Sequence, residues 1–98
     1  MIDVKMISGV GEYKTKQEKV GEKNRILYTV GEKVFLVENK NTIEVRCDRG
    51  LGKLLQAKYE SVMESRYFGR GGIEIVMSGQ LKKTELEDLV RLSYNLSK

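Results

Sequence analysis

The chain has 98 residues, with 18 basic and 14 acidic side chains and a net charge of +4. A chain of this length builds one modest hydrophobic core, so a single domain over 1–98 is expected, and folding needs neither a disulfide nor a metal. Histidine is absent and cysteine occurs once, which removes the usual general base near neutral pH, the usual activator of a Ser or Cys nucleophile, the commonest metal ligand and any internal disulfide.

The charge is spread evenly: residues 1–49 carry 10 basic and 8 acidic side chains and residues 50–98 carry 8 and 6, so there is no basic tail. A pI near 9.2 admits anionic partners without requiring them. No apolar run approaches the roughly 18 residues of a membrane span, and the first residues lack the apolar stretch of a signal peptide. A cytoplasmic protein with no membrane partner is the expectation.

In chain order, Ile2, Val4, Met6 and Ile7 give a brief alternation that leaves an edge strand and a short helix both open, before Gly9-Val10-Gly11 breaks it. From Glu12 to Lys23 the chain is polar. Lys14, Lys16, Lys19 and Lys23 stand against Glu12, Glu18 and Glu22, while Tyr13, Thr15 and Gln17 alternate with lysines as in a solvated strand leading to a turn at 21–24. The same lysines would serve as a wing that contacts phosphates.

Residues 25–47 are the centre of the chain. Arg25 to Val30 and Lys33 to Glu38 are rich in β-branched and aromatic residues, and Gly31-Glu32 between them suits a two-residue hairpin because glycine accepts positive φ. Asn39-Lys40-Asn41 makes a second turn before Thr42-Ile43-Glu44-Val45-Arg46-Cys47, where apolar and polar residues alternate. This predicts an antiparallel meander with one wet face and one face that needs cover. Cys47 reads as a small apolar residue at a strand end.

Asp48 is a suitable N-cap for a helix over 49–59 that carries Leu51, Leu54, Leu55 and Tyr59, with the Lys58 stem along the same stripe. Gly50 and Gly52 each cost about 1 kcal/mol against alanine, so this helix depends on docking. Residues 61–68 read as a connection that offers Val62, Met63, Tyr67 and Phe68 for packing. Gly69-Arg70-Gly71-Gly72 reads as a flexible entry to a strand over 73–77. It lacks the Lys-Ser/Thr of a phosphate-binding loop and precedes a strand rather than following one. Thr84-Glu85-Leu86-Glu87 has the form of a capping box, opening a helix near 85–96. Leu86, Leu89, Val90, Ser93, Leu96 and Ser97 mark its face, widened by Leu92 and Tyr94.

The predicted fold class is therefore α+β: an antiparallel sheet of four to six strands around the meander at 25–47, covered on one face by two helices. Leu51, Leu54, Leu55, Leu86, Leu89 and Val90 are expected to be buried against it. No catalytic constellation emerges. Glu85, Glu87 and Asp88 sit in the first turn of a helix, where the dipole explains them. Cys47 has no activating base, and Asp48 and Glu38 lack a recognisable metal spacing. Neither enzymatic activity nor a cofactor is expected.

Three stretches resemble the MmcQ/YjbR family: Gly31-Glu32-Lys33-Val34-Phe35-Leu36-Val37, then Val45-Arg46-Cys47-Asp48 leading into a Leu-rich helix, then Ile73 to Gly79 followed by Leu81 through Ser93-Tyr94-Asn95-Leu96. The Ser-Tyr pair near the end of the last helix, with acids at its start, is typical of that family, and the likeness covers about residues 20–98. The chain departs from the pattern in lacking the longer first helix and in having Ile73 where a tryptophan usually follows a basic residue. The resemblance implies a CyaY-like fold with two hairpin wings, and DNA binding.

Three functional readings follow. In the first, a non-enzymatic domain meets nucleic-acid phosphates through Lys14, Lys16, Lys19, Lys23, Arg66 and Arg70. In the second, an exposed sheet face serves protein interaction or self-association. The third, an enzyme, has no residue pattern behind it. A basic patch on one face would favour the first, and an apolar patch of several hundred Å² the second.

Overall fold

The computed structural model of the chain describes residues 2–98. Six strands, β1 (Lys14–Val20), β2 (Lys23–Val30), β3 (Lys33–Glu38), β4 (Thr42–Arg46), β5 (Val62–Ser65) and β6 (Gly69–Val76), form one sheet in the order β1-β2-β3-β4-β6-β5. Every neighbouring pair is antiparallel. Two helices, α1 (Arg49–Lys58) and α2 (Lys83–Ser97), complete an α+β domain, with α1 against β5 and β6 and α2 against β3 and β4. Before β1 there is only a single 3₁₀ turn at Val4–Met6, capped by the Asp3 carboxylate on the Lys5 N–H.

Gly31 turns β2 into β3 with φ +61°, the positive value that a two-residue hairpin asks of its first position. The β2–β3 ladder then slips by one residue, so that Thr29 pairs with Val34 but Tyr28 with Leu36. This bulge puts both Phe35 and Leu36 on the helix side, where they join Tyr28, Ile43, Val45, Ile73, Ile75 and Val62 in the core. Val90, Leu86 and Tyr94 close it from α2, and Leu51, Leu55 and Leu89 pack at its margin. Aromatic rings run through it, with Phe35 edge-on to Tyr94 at 5.0 Å between centroids and Tyr13 and Tyr28 at 6.1 and 6.2 Å.

The Ser93-Tyr94 pair locks α2 to the sheet. The β3–β4 ladder stops after the Leu36–Val45 pair, and the Ser93 hydroxyl enters there. It donates to the Phe35 carbonyl at 2.6 Å and accepts from the Arg46 N–H at 2.8 Å, two backbone groups that burial would otherwise leave unpaired. The Tyr94 hydroxyl donates to the Glu12 carbonyl and ties down the segment before β1.

Several expectations need correction. Leu54 is 63% exposed, and Leu51, Leu55 and Leu89 are only half-buried, whereas Leu86 and Val90 are buried. On α2 the inward residues are Leu86, Val90, Ser93, Tyr94 and Ser97; Leu96 and Leu92 point outward. That helix begins at Lys83, so Thr84 lies inside it. The Glu85 carboxylate accepts the Lys82 N–H at the cap, because burial of Leu81 draws the chain into the helix earlier than the Thr84 motif implies. Residues 62–65 are a strand and not a connection, and the glycines at 69–72 are already part of β6. Gly72 is there for space: a Cβ would stand 2.6 Å from both the Val45 carbonyl and the Phe68 Cβ. Asp48 caps α1 as expected, accepting the Leu51 N–H. Cys47 is buried, and burial, aided by Asp48, pushes its thiol up.

Candidate nucleic-acid interface

Side chains alternate across a strand, and residues paired across a ladder share a face. The register therefore places Lys14, Lys16 and Glu18 of β1 with Lys23, Arg25 and Leu27 of β2 on the side away from the helices. Val37, Glu44 and Glu74 continue the same face across β3, β4 and β6.

This face is not simply wet. Leu27 and Val37 are buried on it, and Glu44 and Glu74 are 1% and 3% exposed. The four-residue stretch from Ser65, the last residue of β5, to Phe68, just before β6, folds over them. Arg66 grips Glu74 through two guanidinium nitrogens at 3.0 and 2.8 Å. Glu44 accepts from the Ser65 hydroxyl at 2.8 Å and the Tyr67 N–H at 2.9 Å, and from the Asn39 amide at 2.9 Å. Thr42 donates to Glu74 at 2.7 Å. Burial alone would raise the Glu44 carboxyl, but the bonds from Asn39, Tyr67 and Ser65, with the Arg66 charge, outweigh it and hold the group below the usual carboxylate range. The Arg66 guanidinium is in turn held charged by Glu74.

Two arginines of the sheet stack on the rings of this cover. Arg25 lies over the Tyr67 ring at 5.2 Å and Arg46 over the Phe68 ring at 4.9 Å, a favourable cation–π geometry. Arg25 is also paired with Glu18, and Arg46 donates to the Val34 carbonyl. The result is a face with six cations, Lys14, Lys16, Lys23, Arg25, Arg46 and Arg66, against three carboxylates, Glu18, Glu44 and Glu74, two of which are buried. Its exposed apolar residues, Val20, Met63 and Tyr67, sit on separate strands and a loop.

Of the six residues singled out by sequence, Lys14, Lys16, Lys23 and Arg66 share this face. Lys19 does not: one step along β1 from Glu18, it points to the helix side. Arg70 is separated too. It lines a cleft of about 360 Å³ beside α1, together with Arg49, Lys53, Gln56 and Glu64. Sequence reading missed Arg25, Arg46 and Tyr67. Parity along β2 was available for Arg25, which falls on the same phase as Lys23, but nothing local marked the 65–68 stretch as a lid on the sheet.

Comparison of the chain with protein-family models, curated proteins and solved structures returned no match. Among the described residues no helix is long and apolar enough to cross a membrane.

Proposed function

We propose that this is a non-enzymatic domain that binds the nucleic-acid backbone through the outer face of its sheet, weakly and without reading base sequence. The observation that carries the proposal is the convergence of exposed Lys14, Lys16, Lys23 and Arg66 on one face, its acidic side chains Glu44 and Glu74 being withdrawn under the 65–68 stretch. Fixed cations at strand spacing suit phosphates, and binding of this kind is driven by counterion release. Tyr67, 38% exposed and backed by Arg25, adds a surface on which a base can stack. The resemblance to the MmcQ/YjbR family and its CyaY-like fold points the same way. No base-reading helix contributes, since α2 opens with Glu85, Glu87 and Asp88. The partner in this reading is DNA, met in the cytoplasm.

The lysines on β1 also protect an edge strand from pairing with other chains, so the test must separate charge from position. A labelled duplex titrated at about 50 mM salt, where electrostatic binding is strongest, should bind, and raising the salt should weaken it steeply to a dissociation constant of roughly 10⁻⁴ to 10⁻⁶ M at physiological salt. Lys14→Glu with Lys16→Glu should weaken binding equally for all sequences and flatten the salt slope. Lys19→Glu, on the opposite side of the same strand, should do markedly less than Lys16→Glu alone, which is the same change of charge. No association at about 100 μM protein, well above the lower end of that range, would remove the nucleic-acid reading. Equal effects of Lys16→Glu and Lys19→Glu would remove the face.

A further inference from the structure

The helix side of the sheet is covered unevenly. With α2 over β3 and β4 and α1 over β5 and β6, β1 and β2 have only the segment before β1 beside them. Between that segment and the strands runs a groove of about 540 Å³, lined by Ile2, Tyr13, Gln17, Ile26, Tyr28 and Glu38. It adjoins a second of about 470 Å³ in which Glu38 and Ile26 also take part.

Glu38 is the unexpected member. It is 9% exposed, yet the ion pairs among the described residues involve other side chains. Its one side-chain partner is the Tyr28 hydroxyl, which donates to Oε1 at 2.6 Å. Among the described residues no donor meets Oε2, and no fully buried side-chain nitrogen or oxygen lacks a partner, so Oε2 keeps some exposed surface beside the groove. Beside it the Tyr13 and Tyr28 rings stand 5.5 Å apart and tilted by 49°, offering aromatic faces next to a carboxylate. Withdrawing a carboxylate from water without a cation opposes folding, and the Tyr28 hydroxyl occupies only one of its two oxygens. Asp3 and Lys5 also line the groove, and Lys5 is not ion-paired with Glu38. In the adjoining groove Arg25 is already held by Glu18, and Lys40 lines that groove without an ion pair to Glu38.

We propose that this groove binds a small organic amine. The ammonium head sits on Glu38 Oε2 against the tyrosine faces, where charge and cation–π attraction act together, and an apolar body lies along Ile2 and Ile26. An anion is excluded by the same carboxylate, so this site is separate from the phosphate-binding face and stands or falls independently of it.

Benzylamine, titrated to about 20 mM into the isotopically labelled full chain, tests this, because a millimolar ligand would approach saturation there. Benzyl alcohol, its uncharged counterpart, serves as the control. The amine should give saturable amide shifts at Tyr13, Ile26, Tyr28 and Glu38, and the alcohol none. Glu38→Gln should weaken the amine by about tenfold or more while the rest of the spectrum is preserved, the worth of a charge-assisted hydrogen bond. Tyr28→Phe keeps ring and carboxylate and should retain binding. The proposal is overturned if no saturable shift appears, if amine and alcohol shift the same residues alike, if the amine shifts map to another acidic region such as Glu85–Asp88, or if folded Glu38→Gln binds as well as the wild type. Should Glu38→Gln fail to fold, the comparison of amine and alcohol on the unaltered chain decides alone.

Discussion

On the helix side of the sheet, Ile43 and Val45 of β4 meet Ile75 and Ile73 of β6 under two helices, and all four are fully buried. One residue out of phase, the same two strands carry Glu44 opposite Glu74, buried almost as completely by the 65–68 stretch. The first face is closed by apolar area, which is tolerant of detail. The second is closed by directed bonds to two carboxylates, each of which must be met or the burial becomes costly. The contrast teaches that the alternation of apolar and polar residues tells which face a side chain takes, but not whether that face is wet.

The largest effect should come from the helix side. Phe35 has no exposed surface and touches the rings of Tyr13, Tyr28 and Tyr94, so Phe35→Ala should cost about 3–5 kcal/mol in urea unfolding. A loss below about 1 kcal/mol, far under the range for a core phenylalanine, would break the account of that face.

The outer face should respond less, and differently. Glu44→Ala leaves Asn39, Ser65 and the Tyr67 N–H without their acceptor, a loss of about 1–3 kcal/mol. Because the folded carboxyl lies below its unfolded value, its contribution is fully present above the ordinary glutamate value of about 4.3. That contribution is lost as pH falls through the lower folded value. Urea midpoints from pH 7 to pH 3 should therefore fall at the acid end for the wild type and fall less for Glu44→Gln. Identical acid slopes in the two proteins would show that the cover does not depend on this charge.

The smallest effects lie along the outer margin of the helices and sharpen the first face. Leu89 is half-buried against the core and Leu54 is exposed. Leu89→Ala should cost about 1–2 kcal/mol from the apolar surface it returns to water, and Leu54→Ala should stay within about 0.5 kcal/mol. If the two were equal, α1 would be docked as deeply as α2, contrary to the structure.

Much of the fold was legible in local residues. Gly31 between two β-rich runs marked a hairpin, Asp48 marked the start of α1, and the Leu86, Val90, Ser93 and Ser97 spacing marked the inner face of α2. These are short-range effects: positive φ, a carboxylate three residues from an N–H, and helical periodicity. Leu54 and Leu96 misled because a leucine at helical spacing does not reveal how wide the docked stripe is. β5 was missed because Val62-Met63-Glu64-Ser65 carries little strand preference and forms as an edge by pairing with β6.

The candidate interface divided in the same way. That the chain carries Lys14 and Lys16 at alternating positions is a property of the sequence, and it already set the charge of β1. Which of those cations share a face was decided by register: pairing of Lys16 with Leu27 and Glu18 with Arg25 puts Lys14 and Lys16 with Arg25 and sends Lys19 to the other side. The withdrawal of Glu44 and Glu74, the stacking of Arg25 and Arg46 on Tyr67 and Phe68, and the open oxygen of Glu38 were decided only by tertiary structure. Each depends on groups distant in sequence meeting at hydrogen-bond or van der Waals range. Local propensity carries no information about that distance, because it is the sheet order that sets which strands and loops become neighbours.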